Sequence, residues 1–122
     1  SFVQSGSQMA EVGEEQPFAE ARVGREKQRY NEDGRRLTAG CVVVREDPAG
    51  ERRFLVVSST KDPSKCIFPK GGWENDETVE ECAKRETLEE AGVVAELVKP
   101  LGCFEATART KCYLFHATCA EE

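Results

Sequence analysis

Two carboxylates on the inward face of an amphipathic helix constrain this chain more than any other feature. Helical patterning starts near Glu77 or Thr78 and stops at Gly92, where a glycine just past the last periodic residue acts as a C-terminal cap. On a wheel of about 100° per residue, Val79, Cys82 and Ala83 define the apolar stripe that faces the protein body. Glu86 and Glu90 fall on that same stripe, each within about 20° of Val79. Glu89 lies at one edge of it, next to Arg85. A solvated acidic face is the ordinary explanation of a Glu-rich helix, and it fits poorly here. Like charges one helical turn apart repel by a few tenths of a kcal/mol even in water, and by far more if buried unpaired. A cation is expected between them. Clustered carboxylate oxygens with no His or Cys at ligand spacing suit a hard ion, Mg²⁺ with Mn²⁺ as a substitute, that keeps positions open for water and phosphate oxygens.

Ahead of the helix, Pro69-Lys70-Gly71-Gly72 reads as a loop in which the glycines let the backbone approach a ligand closely and Lys70 adds positive charge. A Gly-Gly pair alone is weak evidence, since most are simply turns. The surrounding spacing is far more specific: Gly71, five residues, Glu77, seven residues, then Arg85-Glu86-Thr87-Leu88-Glu89-Glu90-Ala91-Gly92-Val93. It resembles the signature of the Nudix hydrolases, G-x5-E-x7-R-E-U-x-E-E-x-G-U, where U is aliphatic. Thr87 is the one departure, keeping a β-branched shape but adding a hydroxyl.

The rest of the chain supplies a sheet for this helix. Thr38–Arg45 is β-branched and reads as a strand, Glu46-Asp-Pro-Ala-Gly50 as a turn, and Arg53–Ser59 as a second strand closing a hairpin. Thr60–Gly72 reads as a loop interrupted by the apolar piece Cys66–Phe68, while Val93–Cys103 and Lys111–Thr118 read as two further strands. This order predicts an α+β fold, a mixed sheet with a helix packed on it. A single domain over residues 21–122 is expected, preceded by a flexible tail over 1–20 that is too poor in large apolar residues to order itself. Met9 reads as a native start, with Ser1–Gln8 a leader left from expression.

Composition narrows the function classes. The formal charge of −6 argues against general nucleic-acid or membrane-surface binding, although basic residues predominate from Arg22 to Lys70 and acids from Glu74 to Glu90. That asymmetry suits a carboxylate cluster for cations and a separate basic wall for a small anionic, phosphorylated substrate. No apolar run is long enough to span a bilayer. Cys41, Cys66, Cys82, Cys103, Cys112 and Cys119 include no C-x-x-C pair, so reduced thiols and a cytoplasmic location, with the nucleus as a second, are expected, and a structural zinc site is not. His116 alternates with core residues and reads as structural. No oligomeric state is legible.

The Nudix resemblance covers about Ala21 to Thr118. It implies an α/β/α sandwich on a mixed sheet, lacking the C-terminal helix if the chain stops at Glu122. It implies that Glu86, Glu89 and Glu90 bind divalent cations, that Arg85 orients them and pairs with Glu77, and that Glu89 or Glu90 is the general base. Gly71, Glu77 and Gly92 would be structural. Outside the box, Phe68-Pro-Lys-Gly-Gly-Trp-Glu-Asn-Asp-Glu-Thr78, Gly24-Arg-Glu-Lys-Gln-Arg-Tyr30, Ala39-Gly-Cys41 and Val57-Ser-Ser59 resemble the diphosphoinositol polyphosphate phosphohydrolases, many of which also cut diadenosine polyphosphates. Such a substrate needs Lys and Arg around its phosphates. Arg36, Ser59, Lys61, Lys70, Gly71, Gly72, Arg109 and Lys111 are the candidate contacts. Trp73 could stack on a base or anchor the loop. Two other readings stay open: another Nudix specificity such as ADP-ribose, NADH or an mRNA cap, and a pathogen effector using the same fold.

Overall fold

The computed structural model describes residues 2–4 and 28–120. Its elements are β1 (Phe2–Gln4), β2 (Arg36–Glu46), β3 (Arg52–Leu55), β4 (Val57–Ser58), β5 (Cys66–Ile67), β6 (Lys70–Gly72), α1 (Val79–Ala91), β7 (Ala95–Thr107) and β8 (Thr110–Cys119). Six strands form one sheet in the order β1-β3-β2-β8-β7, with β6 also paired to β2. The β2–β8 pair is parallel and the others are antiparallel, so the sheet is mixed as the sequence predicts.

β2 is the organising strand because it pairs on both edges. Its residues from Arg36 to Val43 run beside β8, while Thr38–Gly40 and Val44–Glu46 pair with β6 and β3. The predicted hairpin closes through Asp47, whose Oδ1 accepts from the Ala49 and Glu51 amides at 2.9 and 3.0 Å. The strand expected over Arg53–Ser59 is divided: at Val56 the chain leaves the main sheet, and β4 pairs with β5 instead. Pro69–Gly72 is not the loop expected from its glycines, since Lys70–Gly72 pairs with β2, Ala39 opposite Gly71. Here the glycines serve close approach between layers. A Cβ on Gly71 would overlap the Glu86 carboxylate, and one on Gly40 would overlap the Pro69 carbonyl and Lys70 Cβ.

The helix is delimited as its sequence requires. Thr78 and Glu81 form a capping box, with Glu81 N donating to Thr78 Oγ1 at 3.1 Å and Thr78 N to Glu81 Oε1 at 2.8 Å. Gly92 closes the other end at φ 68°, a left-handed conformation costly for any residue with a side chain. Small side chains let α1 lie close to the sheet: Cys82, Ala83 and Ala91 pack with Ala39, Cys41, Val43, Phe115 and Ala117 in one core. Thr87 is fully buried, and its hydroxyl donates to the Ala83 carbonyl at 2.8 Å, so the one departure from the motif is satisfied inside its own helix. All six cysteines are free, and Cys41, Cys82 and Cys112 are buried.

Among the described residues α1 is the only helix, and it packs on the mixed sheet, the α+β arrangement that the sequence predicts. No helix there is long and apolar enough to cross a membrane. Phe2 lies in the stretch set aside as a leader, yet it pairs with Leu55, and the Arg45 guanidinium sits 4.2 Å over its ring. The remainder of the expected tail, and residues 21–27 of the expected domain, lie outside the described residues.

Replacing Gly40 by Ala tests the close packing of β2 on β6. Backbone atoms that cannot swing aside stand in the way of the new methyl, so a loss of about 1–3 kcal/mol is expected in urea unfolding. An unchanged midpoint would contradict this packing.

Candidate active site

Arg85 is the hub around which the acidic residues are arranged. Its Nε and Nη2 donate to the two carboxylate oxygens of Glu77 at 2.9 and 2.6 Å, a bidentate fork. Nη1 donates to Glu86 Oε2 at 3.0 Å and Glu89 Oε2 at 2.9 Å, and Nη2 also reaches the Gly72 carbonyl at 2.9 Å. The expected pairing of Arg85 with Glu77 is therefore present. Through it a single side chain ties the loop before the helix, the helix itself and β6. The Arg85 guanidinium is held even more firmly protonated than usual by its bonds to Glu77 and Glu89 and by the charge of Glu86, against the opposing effect of burial.

Burial alone would raise the Glu77 carboxyl, but its bonds from Arg85 and from the Glu74 amide, at 3.0 Å, hold it below the usual range. Glu86 and Glu90 behave in the opposite way. Burial, then the charges of Glu90 and Glu89, push Glu86 up to about 7 although Arg85 opposes this. Burial likewise raises Glu90, with Glu89 adding to the effect and the Lys70 amide and ammonium opposing it. Both sit on the inward face that the wheel gives them: Glu86 presses against Gly71, and Glu90 Oε1 accepts from the Lys70 amide at 2.9 Å. Glu89 is buried, not marginal as its wheel position suggested, because Arg85 draws it in.

Three clustered carboxylates, Glu86, Glu89 and Glu90, thus share the guanidinium of Arg85 and the nearby ammonium of Lys70, while Glu77 takes most of the guanidinium for itself. Negative charge is in excess, the donors are all oxygen, and Glu86 carries a displaced proton affinity. This is the donor chemistry of a hard divalent cation. Among the described residues no three His, Cys, Asp or Glu side chains already converge on one point, so the fit rests on donor type and charge.

The candidate basic residues come from several elements. Arg36, Arg109 and Lys111 gather at the end of β2 and β8 that adjoins the β7–β8 turn: Arg36 pairs with Thr110, its amide donates to the Arg109 carbonyl at 2.8 Å, and Leu37 pairs with Lys111. Ser59 and the exposed Lys61 belong to the separate turn between β4 and β5, where the Ser59 amide donates to the Lys65 carbonyl at 2.9 Å. Lys70 is the candidate that stands beside the carboxylates. It is also the one charged residue lining a groove of about 380 Å³, whose walls include Val56, Ile67, Phe68, Phe104 and Leu114. Gly71 and Gly72 are used for close packing against Glu86 and Gln28.

Trp73 anchors the loop. Its Nε1 donates to the Glu77 carbonyl at 2.8 Å and its ring meets Tyr113 edge-on at 5.7 Å. Two residues to which the sequence reading gave no individual role join it. Arg29 lies 4.5 Å over the Trp73 ring and bonds the carbonyls of the same loop, and Glu74 is buried beneath that loop. In the sequence Arg29 is one of several arginines in a charged stretch, and nothing local marks it out. His116 is half-buried on β8, opposite Lys99.

The displaced carboxyls make stability depend on pH in a definite direction. Glu86 binds its proton more tightly folded than unfolded, so without divalent cations its contribution favours the fold below about pH 4.5 and is lost as pH rises toward 7. Glu90 adds in the same sense, and Glu77 in the opposite sense at lower pH. In a chelator, Glu86→Gln should gain on the order of 2 kcal/mol relative to wild type between pH 5 and pH 8. Parallel pH–stability curves for the two proteins would show that Glu86 is not the buried, strained carboxyl described here.

Comparison with known proteins agrees with this geometry. The NUDIX domain profile matches residues 34–121. The chain is 48% identical over 84 residues to Nudix hydrolase 21, chloroplastic, of Arabidopsis thaliana, covering 67% of this chain and 42% of that protein. It is 48% identical over 99 residues to Nudix hydrolase 16, mitochondrial, of the same plant, covering 74% and 54%. A third relative is the RxLR effector protein CRE5 of Phytophthora infestans, 44% identical over 84 residues, covering 67% and 33%. The chain therefore spans about half, or less, of the length of these relatives. A crystal structure of a NUDIX hydrolase from Nitrosomonas europaea superposes with a TM-score of 0.59 at 26% identity, over 70% of this chain and 48% of that one. One expectation is corrected: similar plant proteins are named as chloroplastic or mitochondrial, which points away from the cytoplasmic location inferred from reduced cysteines. Reduced thiols report redox conditions, and organelle interiors can supply those too. With the profile spanning most of its length and the motif folded around Arg85, this chain belongs to the Nudix family.

Proposed function

We propose that this protein is a Mg²⁺-dependent hydrolase of phosphoanhydride bonds, and the observation that carries the reading is the Glu86–Glu89–Glu90 cluster, with Glu89 buried and Glu86 and Glu90 half-buried, arranged on Arg85 with negative charge in excess. Nudix hydrolases generally use a divalent metal, and Glu86, Glu89 and Glu90 would hold it here. When bound, such an ion activates water and neutralises phosphate charge. Arg85 fixes the directions of Glu86 and Glu89, and Glu77 fixes Arg85. Glu90 is the better candidate for the general base, because its carboxylate accepts from a backbone amide whereas Glu89 is tied to a guanidinium. Lys70 meets the phosphate chain at the mouth of the groove.

For the substrate, similarity of the segments outside the box to diphosphoinositol polyphosphate phosphohydrolases supports an inositol pyrophosphate, with Arg36, Arg109 and Lys111 taking ring phosphates and Ser59 and Lys61 taking others. A second reading, the diadenosine polyphosphates, is favoured by the groove beside Lys70, whose apolar walls suit a nucleobase better than a phosphate. Similarity to the effector CRE5 is compatible with a delivered form of the same enzyme, with the chemistry unchanged.

A panel of inositol pyrophosphates, diadenosine polyphosphates, ADP-ribose, NADH and capped RNA, assayed with Mg²⁺, separates these. Turnover of the first two classes is expected to dominate, and Glu86→Gln or Glu90→Gln to lower it by at least about 100-fold. Preference for ADP-ribose or NADH would overturn the substrate assignment, and activity surviving both substitutions would overturn the metal site.

A further inference from the structure

We propose that Arg29 is a positioning residue for the carboxylate cluster, acting through the loop that carries Glu77. It stands outside the segment matched to the family, which begins at residue 34. Its guanidinium nevertheless gathers three main-chain carbonyls of that loop: Nε donates to Glu74 O, and Nη2 to Asn75 O and Glu77 O, each at 3.0 Å. The same group lies 4.5 Å over the Trp73 ring. Its own backbone is fixed as well, with Arg29 N donating to Trp73 O at 2.7 Å and Arg29 O accepting from Leu37 N at 2.8 Å.

Three carbonyl dipoles aimed at one place repel each other unless a cation with several donors occupies it. A planar guanidinium supplies both charge and a fixed fork of donors, whereas a lysine ammonium is a single point. Glu77 is therefore held from two sides. Arg29 and Trp73 Nε1 hold its carbonyl from outside, and Arg85 holds its carboxylate from within. Releasing the outer hold lets the Glu77 carboxylate drift. Arg85 then loses its bidentate partner, and Glu86 and Glu89 lose the donor that sets their directions. The Arg29 guanidinium bonds main-chain carbonyls, so its effect travels through Glu77 and Arg85.

This inference rests on Glu86, Glu89 and Glu90 being metal ligands, and the test separates the two ideas. Mn²⁺ alone is titrated by calorimetry into wild type, Arg29→Ala, Arg29→Lys and Glu86→Gln, each at a temperature where its melting curve in chelator shows it fully folded. Arg29→Ala is expected to weaken Mn²⁺ binding by about tenfold, as changes behind a ligand sphere do. Arg29→Lys is expected to weaken it by about threefold, since it keeps the cation over Trp73 but not the fork. A merely structural role would lower the melting temperature and leave the affinity of the folded protein unchanged. Should Arg29→Ala not fold, Arg29→Lys decides: wild-type Mn²⁺ affinity in the folded variant overturns the proposal. If Glu86→Gln also binds Mn²⁺ as wild type does, the metal-site reading is what has failed.

Discussion

The bidentate bond between Arg85 and Glu77 is the interaction on which the rest of the site depends. It joins a helix to the loop that precedes it, across a sequence separation that neither element could bridge by its own backbone bonds. Because the guanidinium has donors left over, it also sets two more carboxylates and the Gly72 carbonyl of β6. An ordinary surface ion pair contributes little, but this one is buried on both sides, and removing either partner would strand the other without solvent. The glycines follow from it: β6 must lie against α1 for Gly72 O to reach Arg85, and only a residue without Cβ lets Gly71 pass the Glu86 carboxylate.

The network leaves charge unbalanced by design of its geometry. Glu77 absorbs two of Arg85's donors and is held ionised, while Glu86 and Glu90 are half-buried near one another and resist ionising. Neighbouring carboxyls of identical chemistry are thereby divided into one that organises and two that are available to a cation. Desolvation, which weakens the fold at neutral pH, would also favour a hard divalent ion at the proposed site. Stability and function oppose each other at Glu86.

Much of this was legible in the sequence, for a reason that depends on distance along the chain. Helical geometry is local and periodic, so the wheel puts Glu86 and Glu90 on the inward face, and Gly92 marks the end of the helix. The Thr78–Glu81 capping box is equally local, although the sequence reading did not single it out. Strand pairing is non-local, and there the reading weakened. Lys70–Gly72 looked like a loop because its two glycines have no β propensity, yet β2 recruits it as a strand. The addition of Phe2 to the sheet edge and the clamp from Arg29 depend on partners more than forty positions away, and the split at Val56 on a strand that the sequence pattern reads as loop. The places of the basic residues also follow from non-local pairing. The strand register puts Arg36, Arg109 and Lys111 together, but Ser59 and Lys61 leave the main sheet with β4.

The central claim is that the Arg85-centred carboxylates form a divalent-cation site whose buried members give up protons to bind. Calorimetric titration of Mg²⁺ in two buffers of different ionisation enthalpy measures the protons released on binding. The account predicts saturable binding with net proton release near pH 6.5, fading above pH 8 as Glu86 ionises on its own. Binding with no proton release at pH 6.5, or no saturable binding at any pH, would contradict it.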